Sequence, residues 1–131
     1  IDSVLFSGDT LFSLGCGRVF EGSYEQMFNS LEKIKKLPKN TKIYCGHEYT
    51  NNNGKFCIKI DKDNLNLKKR IKEVKSKIYL KEPTIPTTLQ EEIETNIFLR
   101  YDDKKIKKSM GIDNASNIEV FKKLRNLKDQ F

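Results

Sequence analysis

Hydrophobic and polar positions follow two different periods along this chain. Val4, Leu5 and Phe6 form a short apolar run and Lys42-Ile43-Tyr44-Cys45 forms another, each with the length and the β-branched or aromatic content of a buried strand. Between them Met27, Leu31 and Ile34 recur at helical spacing. Ser23, with Gln26 three residues later, makes a capping box ahead of that stripe, and Pro38 stops it. The front of the chain therefore predicts strand, loop, helix, strand, the unit of an α/β layered architecture. About 50 residues with two strands cannot bury both faces of a sheet. Further sheet is expected upstream or in a partner.

The pattern changes near Gly54, which divides the chain into 1–53 and 54–131. Leu67, Ile71, Val74 and Ile78 follow an i, i+4, i+7, i+11 stripe, with the intervening Lys and Arg residues expected on its wet face. Thr88 with Glu91, and Ser116 with Glu119, are two more capping boxes, the second leading into Ile118, Phe121 and Leu124. Glu82-Pro83-Thr84-Ile85-Pro86-Thr87 separates the helices, because each proline biases the residue before it toward extended backbone. The back of the chain reads as a small helical unit.

Composition narrows the function classes. The 131 residues are 37% hydrophobic and 33% charged, with no apolar run long enough to span a bilayer as a helix. Ile1 stands first and no basic segment followed by an apolar stretch precedes the first strand, so no secretory signal is visible and the true N-terminus is expected to be missing. Three cysteines, Cys16, Cys45 and Cys57, are odd in number and lack C-x-x-C spacing. That argues for free thiols in a reducing compartment, the cytoplasm, with an organelle left open. The net charge is +7, yet Arg18 is the only base among Ile1–Leu31 against Asp2, Asp9, Glu21 and Glu25. Such a basic balance suits an anionic partner. Solvated lysines in a chain with a single alanine, Ala115, account for it equally simply.

The chemistry lies at two strand ends. Ser7-Gly8-Asp9-Thr10 takes one strand into glycine and a carboxylate, and Cys45-Gly46-His47-Glu48 takes the other into glycine and the only histidine. Loops after strand ends gather ligands and metals, and glycine lets the backbone turn sharply enough to aim the next side chain into a cleft. Asp9 and His47 are thus candidate metal ligands, a carboxylate able to bridge two ions and an imidazole able to cap one. Taken singly, a turn-capping aspartate and a surface histidine explain each of them as well.

Taken together the segments are more specific. G-D-T-L-F at Gly8–Phe12, G-C-G-R at Gly15–Arg18, E-G at Glu21-Gly22, Y-C-G-H-E-Y-T at Tyr44–Thr50, N-N-x-K-F at Asn52–Phe56, E-P-T-x-P-T-T-L at Glu82–Leu89 and R-x-x-K-D-x-F at Arg125–Phe131 stand in that order. In these the chain resembles the C-terminal half of glyoxalase II, a hydroxyacylglutathione hydrolase of the metallo-β-lactamase fold. The resemblance implies the last part of an αββα sandwich followed by a small α-helical domain that binds the glutathione substrate. It implies hydrolysis of S-D-lactoylglutathione to D-lactate and glutathione, by a hydroxide shared between two divalent ions, zinc, iron or manganese, so that no Ser or Cys nucleophile is needed. Asp9 takes the position of the bridging carboxylate and His47 that of the histidine on the second ion. Arg18, Tyr49, Arg125 and Lys128 take positions that hold the anionic glutathione part. Phe20 departs, standing where relatives commonly carry a tyrosine, and so lacks its hydroxyl.

A larger departure is that the family's H-x-H-x-D-H motif and a further histidine, all preceding the bridging aspartate, have no counterpart here. Two ligands are too few for two ions, so the chain is expected to be an inactive fragment of an enzyme, with apolar strand faces that promote self-association. The alternatives are another metallo-β-lactamase hydrolase or persulfide dioxygenase, a truncated homologue with a structural role, and a nucleic-acid-binding module built on Lys68-Lys69-Arg70-Ile71-Lys72. The last is disfavoured, because no aromatic residues interleave that basic run.

Overall fold

A computed structural model describes residues 4–18 and 23–131 of the chain; Glu21, Gly22 and the Phe20 substitution lie outside them. Strand β1 (Val4–Gly8) leads into a hairpin of β2 (Leu11–Phe12) and β3 (Gly15–Cys16), then α1 (Tyr24–Lys35) and β4 (Lys42–Cys45). Helices α2 (Thr50–Ile60) and α3 (Leu65–Tyr79) follow, then β5 (Thr87–Thr88) and α4 (Leu89–Thr95). A 3-10 turn (Ile97–Leu99), α5 (Lys104–Ser109) and α6 (Asn117–Asp129) complete the order.

The strand–helix–strand unit forms as its pattern predicts. β1 and β4 pair in parallel, Leu5 opposite Ile43 and Phe6 opposite Tyr44, with α1 as the crossover that parallel neighbours require. Ser23 caps α1 through a full capping box with Gln26. Thr88 and Ser116 accept from the backbone N–H of Glu91 and Glu119 at the starts of α4 and α6. The proline-rich segment does more than separate helices. Its end is β5, which pairs antiparallel with β4 (Thr87 opposite Ile43, Thr88 opposite Lys42) and completes a three-stranded sheet ordered β1-β4-β5.

The sheet is covered on one face. Ile43 is fully buried and Leu5 packs against the core, while Val4, Phe6 and Tyr44 alternate to the other side, where Phe6 is 78% exposed and stacks on Tyr44 at 5.5 Å. Among the described residues nothing covers this apolar face, as the strand count predicts.

Two expectations about the helical part are refined. α2 runs without a break through Gly54, and one hydrophobic cluster joins Leu11, Leu14, Leu31 and Ile43 from the front to Phe56, Leu67, Phe98 and Phe121 behind it. On α3, Leu67 and Val74 are buried, but Ile78 has run out into solvent. Arg70, expected on the wet face, points inward instead. It is buried and ion-paired with fully buried Glu92, and it donates to the hydroxyls of Thr95, Ser13 and Thr87. Glu92 in turn accepts from Leu14 N–H at 2.9 Å and from the side-chain amide of Asn96 at 3.0 Å. Asn53 and Cys57 of α2 donate to the carbonyls of Ser13 and Leu14. The tip of the β2–β3 hairpin, with Leu14 at φ +61°, is therefore saturated by polar side chains of the helical part, as buried backbone groups must be.

Candidate metal and anion cleft

Asp9 and His47 leave neighbouring strand ends and meet. Their strands are parallel, so both C-terminal ends lie on one edge of the sheet. Gly8 adopts φ +53°, open to glycine at little cost, and swings Asp9 out of the strand line. Gly46 N–H donates to Gly8 O at 2.8 Å, and a Cβ at Gly46 would stand 2.9 Å from Asp9 Oδ1. The close passage of these turns thus depends on a residue without a side chain. His47 Nδ1 lies 3.0 Å from Asp9 Oδ1, with the carboxylate 72% and the imidazole 50% exposed. Tyr49 stacks flat on the imidazole at 4.9 Å and 5° between planes, and Phe12 meets both rings edge-on.

The residues present fit a metal in donor type and convergence. A carboxylate and an imidazole share one opening, and the glycine turns leave room beside them. Among the described residues there is no group of three or more His, Cys, Asp and Glu side chains placed to hold an ion. The chain accordingly offers a pair of candidate ligands, Asp9 and His47.

The same opening leads into a cavity of about 450 Å³ whose lining includes Asp9, His47, Arg18, Tyr49, Arg125 and Lys128. All six residues picked out from the sequence come together there, from four separate segments. Their roles inside it differ. Arg125 is only 2% exposed. Its Nη1 donates to Cys16 O at 2.7 Å and Gly17 O at 3.2 Å, while Nε and Nη2 donate to Asp129 Oδ1 at 3.1 and 2.8 Å. Its fork is thereby committed to holding the β3 strand end against α6, and what it adds to the cavity is charge. Arg18 reaches the same Asp129 oxygen at 3.6 Å from an exposed position. Lys128 has its ammonium pulled below the usual lysine range by burial first, then by the neighbouring Arg125 and Arg18 cations. An anion entering the cleft would relieve that repulsion. Leu124 is fully buried and Leu127 packs on the core, so α6 docks as its spacing predicts.

Three supporting residues stand within the matched motifs, which assign them no role. Asp129 ties two of the cleft's arginines, Asn53 anchors the hairpin, and Glu48 holds the turn after His47. Motif position marks each of them, but only the folded contact reveals its partner. Cys16, also on the cavity wall, has its thiol pushed up to about 11 by burial, with Arg125 opposing.

Residues 1–47 match the family model of the metallo-beta-lactamase superfamily. Residues 48–131 match the model described as hydroxyacylglutathione hydrolase C-terminus, and the chain belongs to that family. It is 56% identical over 127 residues to a hydroxyacylglutathione hydrolase of Pelagibacter ubique, an alignment covering 97% of this chain and 47% of that protein. It is 48% identical over 128 residues to proteins of the same name from Brucella ovis and Brucella abortus, covering 98% of this chain and 50% of each. The chain spans about half the length of the curated relatives it matches.

Proposed function

We propose that this chain is the part of a hydroxyacylglutathione hydrolase that supplies two metal ligands and the substrate's anion anchor. The reading covers hydrolysis of S-D-lactoylglutathione to D-lactate and glutathione in a protein of the relatives' length, with this piece inactive alone. The observation that carries it is the shared cleft: a carboxylate–imidazole pair at the mouth and a cluster of cations on the wall of one cavity.

Two divalent ions, whether zinc, iron or manganese, would supply an acidified water and Lewis-acid polarisation of the thioester carbonyl. Asp9 and His47 would hold that centre from this chain. Lys128 and Arg18 orient the substrate by its carboxylates, Tyr49 borders the reacting end, and Arg125 adds charge from behind while fixing the wall. Cys16 is no competing nucleophile, since a thiol raised to about 11 carries almost no thiolate at neutral pH. Free thiols suit a reducing, cytoplasmic setting.

The test is hydrolysis of lactoylglutathione, beside a glutathione persulfide, by a protein of the relatives' length containing this chain, before and after metal removal. Thioester cleavage that disappears with chelation and returns with added metal is the expected result. Preference for the persulfide, or retention on heparin in moderate salt without thioesterase activity, would replace the reading. The basic-helix alternative is weakened by Arg70, whose charge is buried against Glu92.

A further inference from the structure

The turn that carries His47 is held by the proline-rich segment that leads into β5. Past its pairing with β4, the proline-rich segment continues antiparallel beyond the strand end and brings Thr84, itself buried, against residue 48. The Glu48 carboxylate accepts from Thr84 N–H, 3.1 Å to Oε2 and 3.3 Å to Oε1, and from the Thr84 hydroxyl. The same hydroxyl lies 2.5 Å from the Thr50 hydroxyl at the start of α2. Glu48 and Thr50 flank Tyr49, whose ring stacks on the imidazole of His47. Gly46 is tied to β1 on the near side. The five residues from Gly46 to Thr50 are thus fastened at both ends, with His47 between.

From this geometry we infer that Glu48 is a positioning residue for His47, with Thr84 as its latch. Two donors on one carboxylate, the Thr84 N–H and hydroxyl, tie the Glu48 side chain down and restrain the turn that carries it. Fixing the residue next to His47 limits the imidazole to the rotamer in which Nδ1 faces Asp9 and the ring lies under Tyr49. The imidazole is thereby kept at the mouth of the cleft, on the same side as the Asp9 carboxylate. The inference rests on the reading of His47 as a metal ligand. It explains physically why a glutamate after the histidine and a threonine after Glu82-Pro83 occur in one chain.

His47 is the only histidine, so its imidazole can be followed in this chain by long-range ¹H–¹⁵N NMR without assignment ambiguity. The wild-type ring is expected to show a strong preference for the Nδ1–H tautomer. In Glu48→Leu it is expected to move toward the averaged ratio of a free imidazole, and zinc titrated alone is expected to perturb it with roughly tenfold weaker affinity. Thr84→Val, which deletes the hydroxyl, should shift the ring partway, and Thr84→Ser, which keeps it, should restore the wild-type spectrum. If Glu48→Leu does not fold, the Thr84→Val and Thr84→Ser pair decides. A His47 spectrum unchanged in folded Glu48→Leu or in Thr84→Val, with only a lower melting temperature, would overturn the proposal and leave Glu48 a structural residue. Absence of any zinc response in the wild type would count against His47 as a ligand, while the tautomer comparison still decides the latch.

Discussion

Asp9 and His47, 38 residues apart in the chain, stand 3.0 Å apart between Oδ1 and Nδ1. The contact follows from parallel pairing. β1 and β4 run the same way, Gly8 lies opposite Cys45, and the residues just past each strand end must emerge side by side. In a protein of the relatives' length, Asp9→Ala is expected to abolish thioester hydrolysis and to weaken metal binding by more than the roughly 10- to 100-fold that losing an outer partner costs. Metal content after dialysis, read beside turnover, checks this.

Arg125 and Lys128 sit three residues apart on α6 but should fail differently. Arg125→Ala leaves the Cys16 and Gly17 carbonyls without their donor, at about 1–3 kcal/mol for each buried group left unsatisfied, so thermal stability should fall together with substrate binding. Lys128→Ala removes a charge from the cleft alone and should raise KM with little change in kcat or melting temperature. Equal melting temperatures in the two variants would contradict this division.

Arg70 and Glu92 form a buried pair beneath the hairpin. Glu92→Ala should destabilise by about 3–5 kcal/mol, because it strands a buried guanidinium as well as the Leu14 amide. Replacing both partners with apolar residues is expected to recover part of that loss, as chemical denaturation of the single and double variants would show.

The buried thiols predict an alkaline limit. Burial raises Cys16 to about 11 and Cys57 to about 12, from 9.0 in each case. Above pH 9 the unfolded chain releases these protons while the folded chain keeps them. The stability they contribute is therefore complete below pH 9 and is lost as pH rises through 11 to 12. Melting temperature measured from pH 8 upward should fall less steeply in Cys57→Ala than in the wild type. A thiol reagent at pH 8 should modify Cys45 well before the two buried cysteines.

The face of Val4, Phe6 and Tyr44 is an apolar patch without cover on the described residues. The chain on its own is expected to associate through it, and Phe6→Ser to shift sedimentation toward the monomer. If the variant sediments as the wild type does, association runs through another surface.

Local pattern was sufficient for much of this molecule. Lys42–Cys45 as a strand, the Ser23–Gln26 box, the α3 stripe and the caps at Thr88 and Ser116 are all properties of a few neighbouring residues, and each was legible because helix and strand periods and end-capping are short-range physics. The resemblance carried by motif order brought forward six residues, and all six line the cleft. The two-residue strands β2, β3 and β5 were not legible, since so short a pairing is stabilised by its partners and carries no period of its own. Neither was the inward turn of Arg70, where a basic residue on a basic helix is buried because Glu92 waits 22 positions along the chain. The sequence by itself put forward the candidate residues of the cleft and determined the longer helices and strands, whose periods and caps are local. Tertiary structure alone decided what each charged group faces: Arg125 holds a strand end, Glu48 meets Thr84, and Arg70 supports the hairpin. The physical reason is that partnership between buried polar groups depends on long-range packing, which brings together side chains that no local pattern relates.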